Sequence, residues 1–266
     1  MFSCLLRLFV AVALLGVAAR AATPADAWPA NPADLFAPPT EVKPLRVALY
    51  VGGGATSTGV ANVEKRVRQL PGVTVTRVPD TEMGTRDLSQ FDLVVFSGGG
   101  GSAQSKAIGE AGRKNVRAFV EQGGGYLGIC AGAYLACAGF DWGLGILNAE
   151  TVSPKWRRGG GMVRAELTDA GRAMLGPVSG QFTIRYNNGP IIRPLGRADL
   201  PPYEVLALFR TELAMNGTPA GVMVDSPAAV GATFGRGRVV TLSPHSEDTP
   251  GLENLIPRAV VWLAAK

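Results

Sequence analysis

The sequence predicts an α/β fold of three layers: a doubly wound (flavodoxin-like), mostly parallel sheet with an added β-rich C-terminal portion. Short, wholly apolar segments alternate with stretches of helical periodicity, and glycine runs follow several of the apolar segments. Fully apolar strands are typical of parallel sheets covered by helices on both faces. The chain has 266 residues, of which 47% are hydrophobic and 18% are charged, so it can form a large core and is too apolar for a disordered protein.

The N-terminal segments are predicted to precede the folded domain. Residues 1–21 have a basic start, an apolar run over residues 8–19 and a small-x-small ending, which is typical of a secretory signal cleaved after Ala21. An uncleaved anchor would need about 20 apolar residues. We therefore expect secretion across the inner membrane to the periplasm, without stable membrane insertion. Residues 22–44 are rich in proline and alanine and are predicted to form a linker or a surface-hugging arm.

Residues 45–266 are predicted to form one domain, in which each element follows from its local pattern. Helices are predicted where apolar residues recur at helical spacing, around residues 60–70, 116–120 and 252–263. Strands are predicted where short apolar or alternating runs end at glycine or proline. These are residues 47–51, 73–78, 93–96 and 126–129 in the first half, then 162–167, 182–186, 205–209, 229–234 and 239–242.

Charge and composition argue against nucleic-acid, metal and cofactor functions. The net charge of +5 falls to +3 when the signal, with two arginines and no acid, is removed. The basic cluster Lys155-Trp156-Arg157-Arg158 is interpreted as a solvated loop. Because the chain has one histidine, most histidine-based zinc sites are excluded. We predict no nucleic-acid partner, no metal and no cofactor.

Cys130 lies where a nucleophile would be expected. It follows the fourth strand, within the sequence GICAG, and a helix is predicted to begin directly after it. A nucleophile on a sharp strand-to-helix turn needs small residues two positions to either side, and Gly128 and Gly132 meet that need. The amide of Ala131 and those of the loop that contains Gly99 and Gly100 are predicted oxyanion donors. The alternative is an inert, buried cysteine.

The other predicted features of this edge involve a second cysteine and a glycine-rich loop. If Cys130 and Cys137 share one helix, their Cα atoms lie about 10 Å apart, too far for a disulfide. Residues 52–59 (GGGATSTG) lack the Gly-Lys-Ser/Thr ending of a phosphate loop, so we interpret them as a ligand-facing loop.

His245, the single histidine, also follows a strand and is expected at the same edge of the sheet as Cys130. Glu247 is two residues further on. If this segment is extended, its carboxylate points to the same side and can orient the imidazole. The pattern predicts a Cys-His-Glu triad, with a purely structural histidine as the alternative.

These motifs resemble the class I glutamine amidotransferase superfamily. Residues 123–134 (GGGYLGICAGAY), 185–190 (RYNNGP) and 243–247 (SPHSE) are similar to the amidotransferase-like N-terminal domain of biotin-protein ligases. The resemblance spans about residues 45–265. It implies that Cys130 is the nucleophile, His245 the base and Glu247 the orienting acid.

The resemblance also bears on the substrate pocket. Tyr134 stands where glutamine-using members usually carry glutamine, which argues against glutamine as the substrate. Asn187 and Asn188 line the pocket by analogy or serve as turn residues. We expect an exported protein that hydrolyses an amide or peptide-like bond of a small-molecule or peptide-like substrate through an acyl-thioester. Two alternatives stay open, a non-catalytic ligand-binding module and a glutaminase, and the sequence leaves the oligomeric state undetermined.

Overall fold

The computed structural model describes residues 28–152 and 157–265. The predicted signal, residues 1–21, lies outside the described residues, as do Lys155 and Trp156. The helices are α1 (Ser57–Val67), α2 (Gly101–Glu121), α3 (Ala131–Ala136), α4 (Asp169–Leu175) and α5 (Leu255–Ala264). The strands are β1 (Arg46–Tyr50), β2 (Thr74–Val78), β3 (Leu93–Phe96), β4 (Gly125–Ile129), β5 (Ala149–Thr151), β6 (Gly160–Leu167), β7 (Gln181–Asn187), β8 (Ile192–Pro194), β9 (Glu204–Phe209), β10 (Pro227–Phe234) and β11 (Gly237–Leu242).

Nine strands form one continuous sheet in the order β2-β1-β3-β4-β11-β10-β9-β6-β7. The first five of these pair in parallel, and the last four add to the sheet in antiparallel fashion. β5 and β8 form a separate antiparallel pair. The predicted α/β fold is confirmed. The β-rich C-terminal portion extends the central sheet, and β11 returns to its centre beside β4.

Apolar side chains cover both faces of the sheet. Along β1, Val47 and Leu49 pack into one core and Ala48 and Tyr50 into the other, as the two-residue period of a strand requires. Residues of α1 and α5 belong to the first core, and residues of α2 and α3 belong to the second. Burial of one valine, such as Val63 in α1, contributes about 1.5–3 kcal/mol. The two cores hold the carboxyl ends of the strands in fixed positions.

The proline-rich segment before β1 is a packed arm over residues 28–44, which is the second of the two alternatives that the sequence left open. Phe36 is buried and makes an edge-to-face contact with Phe182, with 5.7 Å between the ring centroids. The Asn31 side chain donates to the main-chain oxygens of Thr183 (2.7 Å) and Pro250 (3.0 Å) and accepts from the Thr183 amide (2.8 Å). Composition left a linker and an arm equally open, and these individual side chains fix the segment to the domain as an arm.

No helix within residues 28–152 and 157–265 combines the length and the apolar character needed to cross a bilayer.

Candidate active site

Parallel pairing of β4 with β11 brings the two main candidate residues to one edge of the sheet. Ile129 at the end of β4 is the register partner of Leu242 at the end of β11. The Cys130 amide continues this ladder by donating to the Leu242 carbonyl oxygen, at 2.8 Å. Cys130 therefore follows β4 directly, and His245 follows β11 three residues after Leu242.

Cys130 has the backbone conformation of a nucleophile elbow. Its φ is 49° and its ψ is −96°, which is a strained conformation for a residue with a side chain. A Cβ added at Gly128 would lie 2.5 Å from the Gly132 carbonyl oxygen, and one added at Gly132 would lie 2.3 Å from the Phe96 oxygen. Residues 128 and 132 must therefore both be glycine. The helix α3 begins at Ala131, as the sequence predicts.

His245 and Glu247 are joined by a short buried hydrogen bond. His245 Nδ1 lies 2.6 Å from Glu247 Oε1, and the Glu247 residue is 2% exposed. The segment after His245 is not extended as predicted, because residues 246–248 form a 3₁₀ turn. The contact forms because this turn folds the carboxylate back onto the ring. The His245 main chain is fixed by its amide, which donates to the Arg185 oxygen (2.7 Å), and by its oxygen, which accepts from the Thr249 hydroxyl (2.6 Å).

Cys130 and His245 are neighbours across Gly98. A Cβ added at Gly98 would lie 2.9 Å from His245 Cε1 and 3.9 Å from Cys130 Cβ. The Cys130 thiol donates to the Asn187 main-chain oxygen at 3.5 Å, and His245 Nε2 has no hydrogen-bond partner in the described part of the chain. A hydrogen bond from Sγ to Nε2 would require the thiol to leave Asn187. No local pattern in the sequence indicates this role of Gly98, because the role depends on a residue 147 positions away in the chain.

The electrostatics of His245 favour its protonated form. Burial lowers the pKa of His245, but the adjacent Cys130 sulfur and the Glu247 carboxylate outweigh burial and raise that pKa to about 10. These two neighbours therefore favour a positive charge on His245.

The predicted oxyanion donors differ in whether their amides already donate a hydrogen bond. The Gly100 amide donates to the Gly54 carbonyl oxygen at 2.9 Å, so it is not available as an oxyanion donor, and that prediction is wrong. Gly99 lies in the same short bridge, opposite Ala55. The predicted ligand-facing loop, residues 52–59, thus braces the loop after β3. The Ala131 amide is in the first turn of α3, where amides lack intrahelical acceptors.

The surroundings of Cys130 include the three predicted pocket residues Tyr134, Asn187 and Asn188. The Tyr134 hydroxyl donates to the Asn188 main-chain oxygen at 3.0 Å, and burial raises the pKa of Tyr134. Asn188 has a φ of 56°, and its Oδ1 accepts from the Gly159 amide at 2.8 Å. Asn188 therefore serves turn chemistry, whereas Asn187 contacts the thiol through its main chain.

Cys137, at the other end of α3, is a free, buried thiol that donates to the Ala133 oxygen at 3.3 Å. Burial raises the pKa of Cys137 to about 12. The prediction that the two cysteines do not pair is confirmed, since Cys130 is also free.

Three other features bear on the predicted sites. A cavity of about 630 Å³ lies at the opposite, amino-terminal edge of the sheet, lined by Arg46, Gly124 and Arg236 among others, so it does not belong to this site. Within residues 28–152 and 157–265, no group of three or more His, Cys, Asp or Glu side chains could hold a metal ion. Arg158 is fully buried, so the interpretation of its cluster as a solvated loop is wrong at that residue. Its side chain is held by the 211–221 segment.

Comparison with known proteins agrees with the fold. Residues 45–156 match the family described as "Biotin-protein ligase, N terminal". A chain in the structure of PurLQS from Thermotoga maritima is similar at 14% identity and a TM-score of 0.57, over 82% of this chain and 98% of that chain. A putative ThuA-like protein from Parabacteroides merdae is similar at 16% identity and a TM-score of 0.54, over 84% and 91% of the two chains.

A structure described as a glutamine amidotransferase is similar at 20% identity and a TM-score of 0.51, over 80% of this chain and 93% of that chain. No curated protein matches the sequence. At these identities the solved structures establish the fold alone.

Proposed function

On the premise that this chain has the class I glutamine amidotransferase-like fold, we propose that it is an exported cysteine hydrolase that cleaves an amide or peptide-like bond. The observation that carries the proposal is the strained backbone of Cys130, with φ of 49°, at the end of the strand beside β11. Strain of this kind persists only where the surrounding structure enforces it, and in a nucleophile elbow it sets the reactive side chain at the sheet edge, where the Cys130 residue is 5% exposed.

The proposed reaction begins when the Cys130 thiol leaves Asn187 and gives its proton to His245 Nε2. Glu247 holds the ring through Nδ1 and stabilises the resulting imidazolium. The thiolate attacks the amide carbonyl carbon, and in this proposal the amides of Ala131 and Gly99 stabilise the oxyanion. As the intermediate collapses, the imidazolium donates its proton to the departing amine, which leaves an acyl-thioester. Water, activated by neutral His245, then releases the carboxylic acid and restores the thiol.

A binding module on the same fold is the second candidate. It is favoured by one observation: the thiol donates to Asn187 while His245 Nε2 has no partner among the described residues. In such a module the same side chains would hold a small ligand without forming a covalent bond.

Alkylation by iodoacetamide separates the two candidates. Iodoacetamide reacts with thiolates, so a Cys130–His245 ion pair predicts fast modification of Cys130 at pH 6 that is lost in His245→Ala. Cys137 is the internal control and is expected to stay unmodified in the folded protein. Mass spectrometry of the two cysteine-containing peptides gives both rates. Equal Cys130 rates in wild type and His245→Ala would favour the binding module.

Export rests on the pattern of residues 1–21 and has its own test. Expression of the full chain in a Gram-negative host is expected to yield a periplasmic protein whose N-terminal residue is Ala22. A full-length chain retained in the cytoplasm would contradict export and would leave the proposed chemistry unaffected.

A further inference from the structure

Arg158 is a buried cation whose charge is poorly compensated. Its side chain is 1% exposed, and Nη1 donates to the Pro219 main-chain oxygen at 2.9 Å. Nε and Nη2 have no hydrogen-bond partner among the described residues. The Glu212 carboxylate lies 3.6 Å from Nη2, beyond ordinary hydrogen-bond distance, and both of its oxygens accept from the Gly221 amide. A buried guanidinium without full hydrogen bonding is costly and calls for a physical explanation.

The unpartnered edge of Arg158 is the one that binds carboxylates elsewhere in this protein. Arg77 holds Glu64 through Nε (2.9 Å) and Nη2 (2.5 Å), and Arg197 holds Asp199 through the same two nitrogens. This edge presents two parallel N–H donors, which match the two oxygens of a carboxylate. Arg158 offers the same pair of donors with no acceptor in place.

The position of Arg158 connects it to the candidate active site. Gly159, the next residue, exchanges hydrogen bonds with Asn188: its amide donates to the Asn188 side chain (2.8 Å), and its oxygen accepts from the Asn188 amide (3.1 Å). The Asn188 oxygen in turn accepts from Tyr134, and the neighbouring Asn187 oxygen accepts from Cys130. Burial is the main cause that raises the pKa of Tyr134 and Tyr186, and on both tyrosines Cys130 adds to this rise while Arg158 opposes it, so the sulfur and the guanidinium are each within electrostatic range of these two hydroxyls.

We propose that the Nε and Nη2 edge of Arg158 is a carboxylate-binding subsite, which receives an acidic group on the acyl portion of the substrate attacked by Cys130. This inference rests on the proposed function for its catalytic meaning, but binding at the subsite can be measured without turnover. The favoured substrate class is an amide whose acyl group carries a free carboxylate. Since Glu212 lies beside Nη2, an incoming carboxylate must displace it.

Protection of Cys130 from alkylation measures this binding directly. The full chain is treated with iodoacetamide in increasing concentrations of succinate, glutarate or adipate, and glutaramide serves as the neutral analogue. At least one dicarboxylate is expected to slow Cys130 alkylation at concentrations at least tenfold lower than glutaramide. Equal protection by glutaramide, or no protection by any of the three diacids, would overturn the proposal, and this comparison needs no variant.

Two variants at the subsite sharpen the test. Arg158→Gln is expected to weaken protection by the diacid at least tenfold, since it removes two charge-assisted hydrogen bonds. Glu212→Gln is expected to strengthen protection severalfold, because it removes the competing carboxylate. If Arg158 serves only to anchor Glu212, then Glu212→Gln leaves the protection constant unchanged or weakens it, which contradicts the subsite. Thermal unfolding of each variant shows whether it is folded. If a variant is unfolded, the test rests on the comparison of the diacids with glutaramide in the wild-type protein.

The matched substrates glutaryl-p-nitroanilide and its methyl ester separate this inference from the proposed function. Faster, Cys130-dependent cleavage of the acid than of the ester, with the preference lost in Arg158→Gln, is the expected result. Equal cleavage of acid and ester would leave the hydrolase intact and overturn the subsite. Diacid protection without any cleavage would retain the subsite on a binding module.

Discussion

The two edges of the parallel sheet differ in how their polar groups are satisfied. At the amino-terminal edge, around the 630 Å³ cavity, Arg46 pairs with Asp92 at 3.1 Å and Arg238 donates to the Trp262 oxygen at 2.7 Å. At the carboxyl edge, several buried polar atoms have no hydrogen-bond partner among the described residues. They are Ser97 Oγ, Gln104 Oε1, Ser243 Oγ, His245 Nε2, Ser246 Oγ and Glu247 Oε2.

In this fold, the size of a cavity is a poor guide to the position of the candidate reactive groups. Unsatisfied buried polar groups are costly, and they persist where a ligand or a reaction uses them. The amino-terminal edge has space and paired arginines, and its one buried atom without a partner among the described residues that we find beside the cavity is Arg86 Nε. The carboxyl edge has a strained backbone at Cys130 and the six unpartnered polar atoms named above. If substitutions at the two edges had similar effects on the reactivity of the Cys130 thiol and on turnover, the two edges would not differ in function.

The largest expected effect is the loss of the nucleophile. Cys130→Ala should reduce turnover about 10⁴- to 10⁶-fold on a substrate identified by an amide library, because no other group supplies the thioester. Cys137→Ala is the matched control and should keep at least half of the activity. If Cys130→Ala kept its turnover, measured by release of p-nitroaniline, the reaction would not take place at the carboxyl edge of the sheet.

The second effect concerns the charge of His245. Its folded-state pKa is raised above the ordinary value of 6.5, so its protonation stabilises the fold fully below pH 6.5, and this contribution is lost as the pH rises toward about 10. Glu247→Gln removes one source of the rise. We expect it to destabilise the protein by about 3 kcal/mol at pH 6 and by less at pH 10. Urea unfolding at the two pH values measures this, and a loss that grows with pH would contradict the assignment.

The third effect tests the approach of His245 to Cys130. Gly98→Ala places a methyl group 2.9 Å from the imidazole, so we expect it to displace the ring and to slow Cys130 alkylation at pH 6 about tenfold. Gly100→Ala is the control, because its methyl group would meet only the Ala103 side chain, at 3.4 Å. Equal rates in the two variants would show that the contact at Gly98 has no functional role.

The smallest effect is expected at the amino-terminal edge. The Arg46 side chain is 56% exposed, and exposed ion pairs contribute about 0–1 kcal/mol. Arg46→Ala should therefore leave the alkylation rate of Cys130 within twofold of wild type and lower the melting temperature by a few degrees at most. A larger fall in the alkylation rate would mean that the two edges are coupled.

The sequence predicted the features that local patterns determine. The nine strands of the large sheet follow from apolar runs, the elbow around Cys130 from small residues two positions to either side, and the common edge of Cys130 and His245 from parallel topology. The short strands β5 and β8 were not predicted. The full length of α2 was missed, because only residues 116–120 carry a clear apolar pattern and the first half is rich in small and polar residues.

The remaining features depend on contacts between distant segments. Arg158 looks like a surface residue in a basic run, but it is fully buried and donates to the Pro219 oxygen, 61 residues further along the chain. The Gly100 amide is engaged by a carbonyl group 46 residues earlier in the chain. The arm is fixed by Asn31 and Phe36, whose partners lie more than 140 residues away. No local signal encodes such pairings.

The most direct test of the central claim uses the single histidine as a probe. Because the chain contains one imidazole, its ¹³Cε1 and ¹⁵N signals report the protonation of His245 without assignment ambiguity. The account predicts that His245 in the wild type stays protonated well above pH 6.5 and that Cys130→Ala lowers its pKa, since the sulfur is one cause of the rise. Titration near pH 6.5 in both proteins would contradict the coupling of Cys130 to His245.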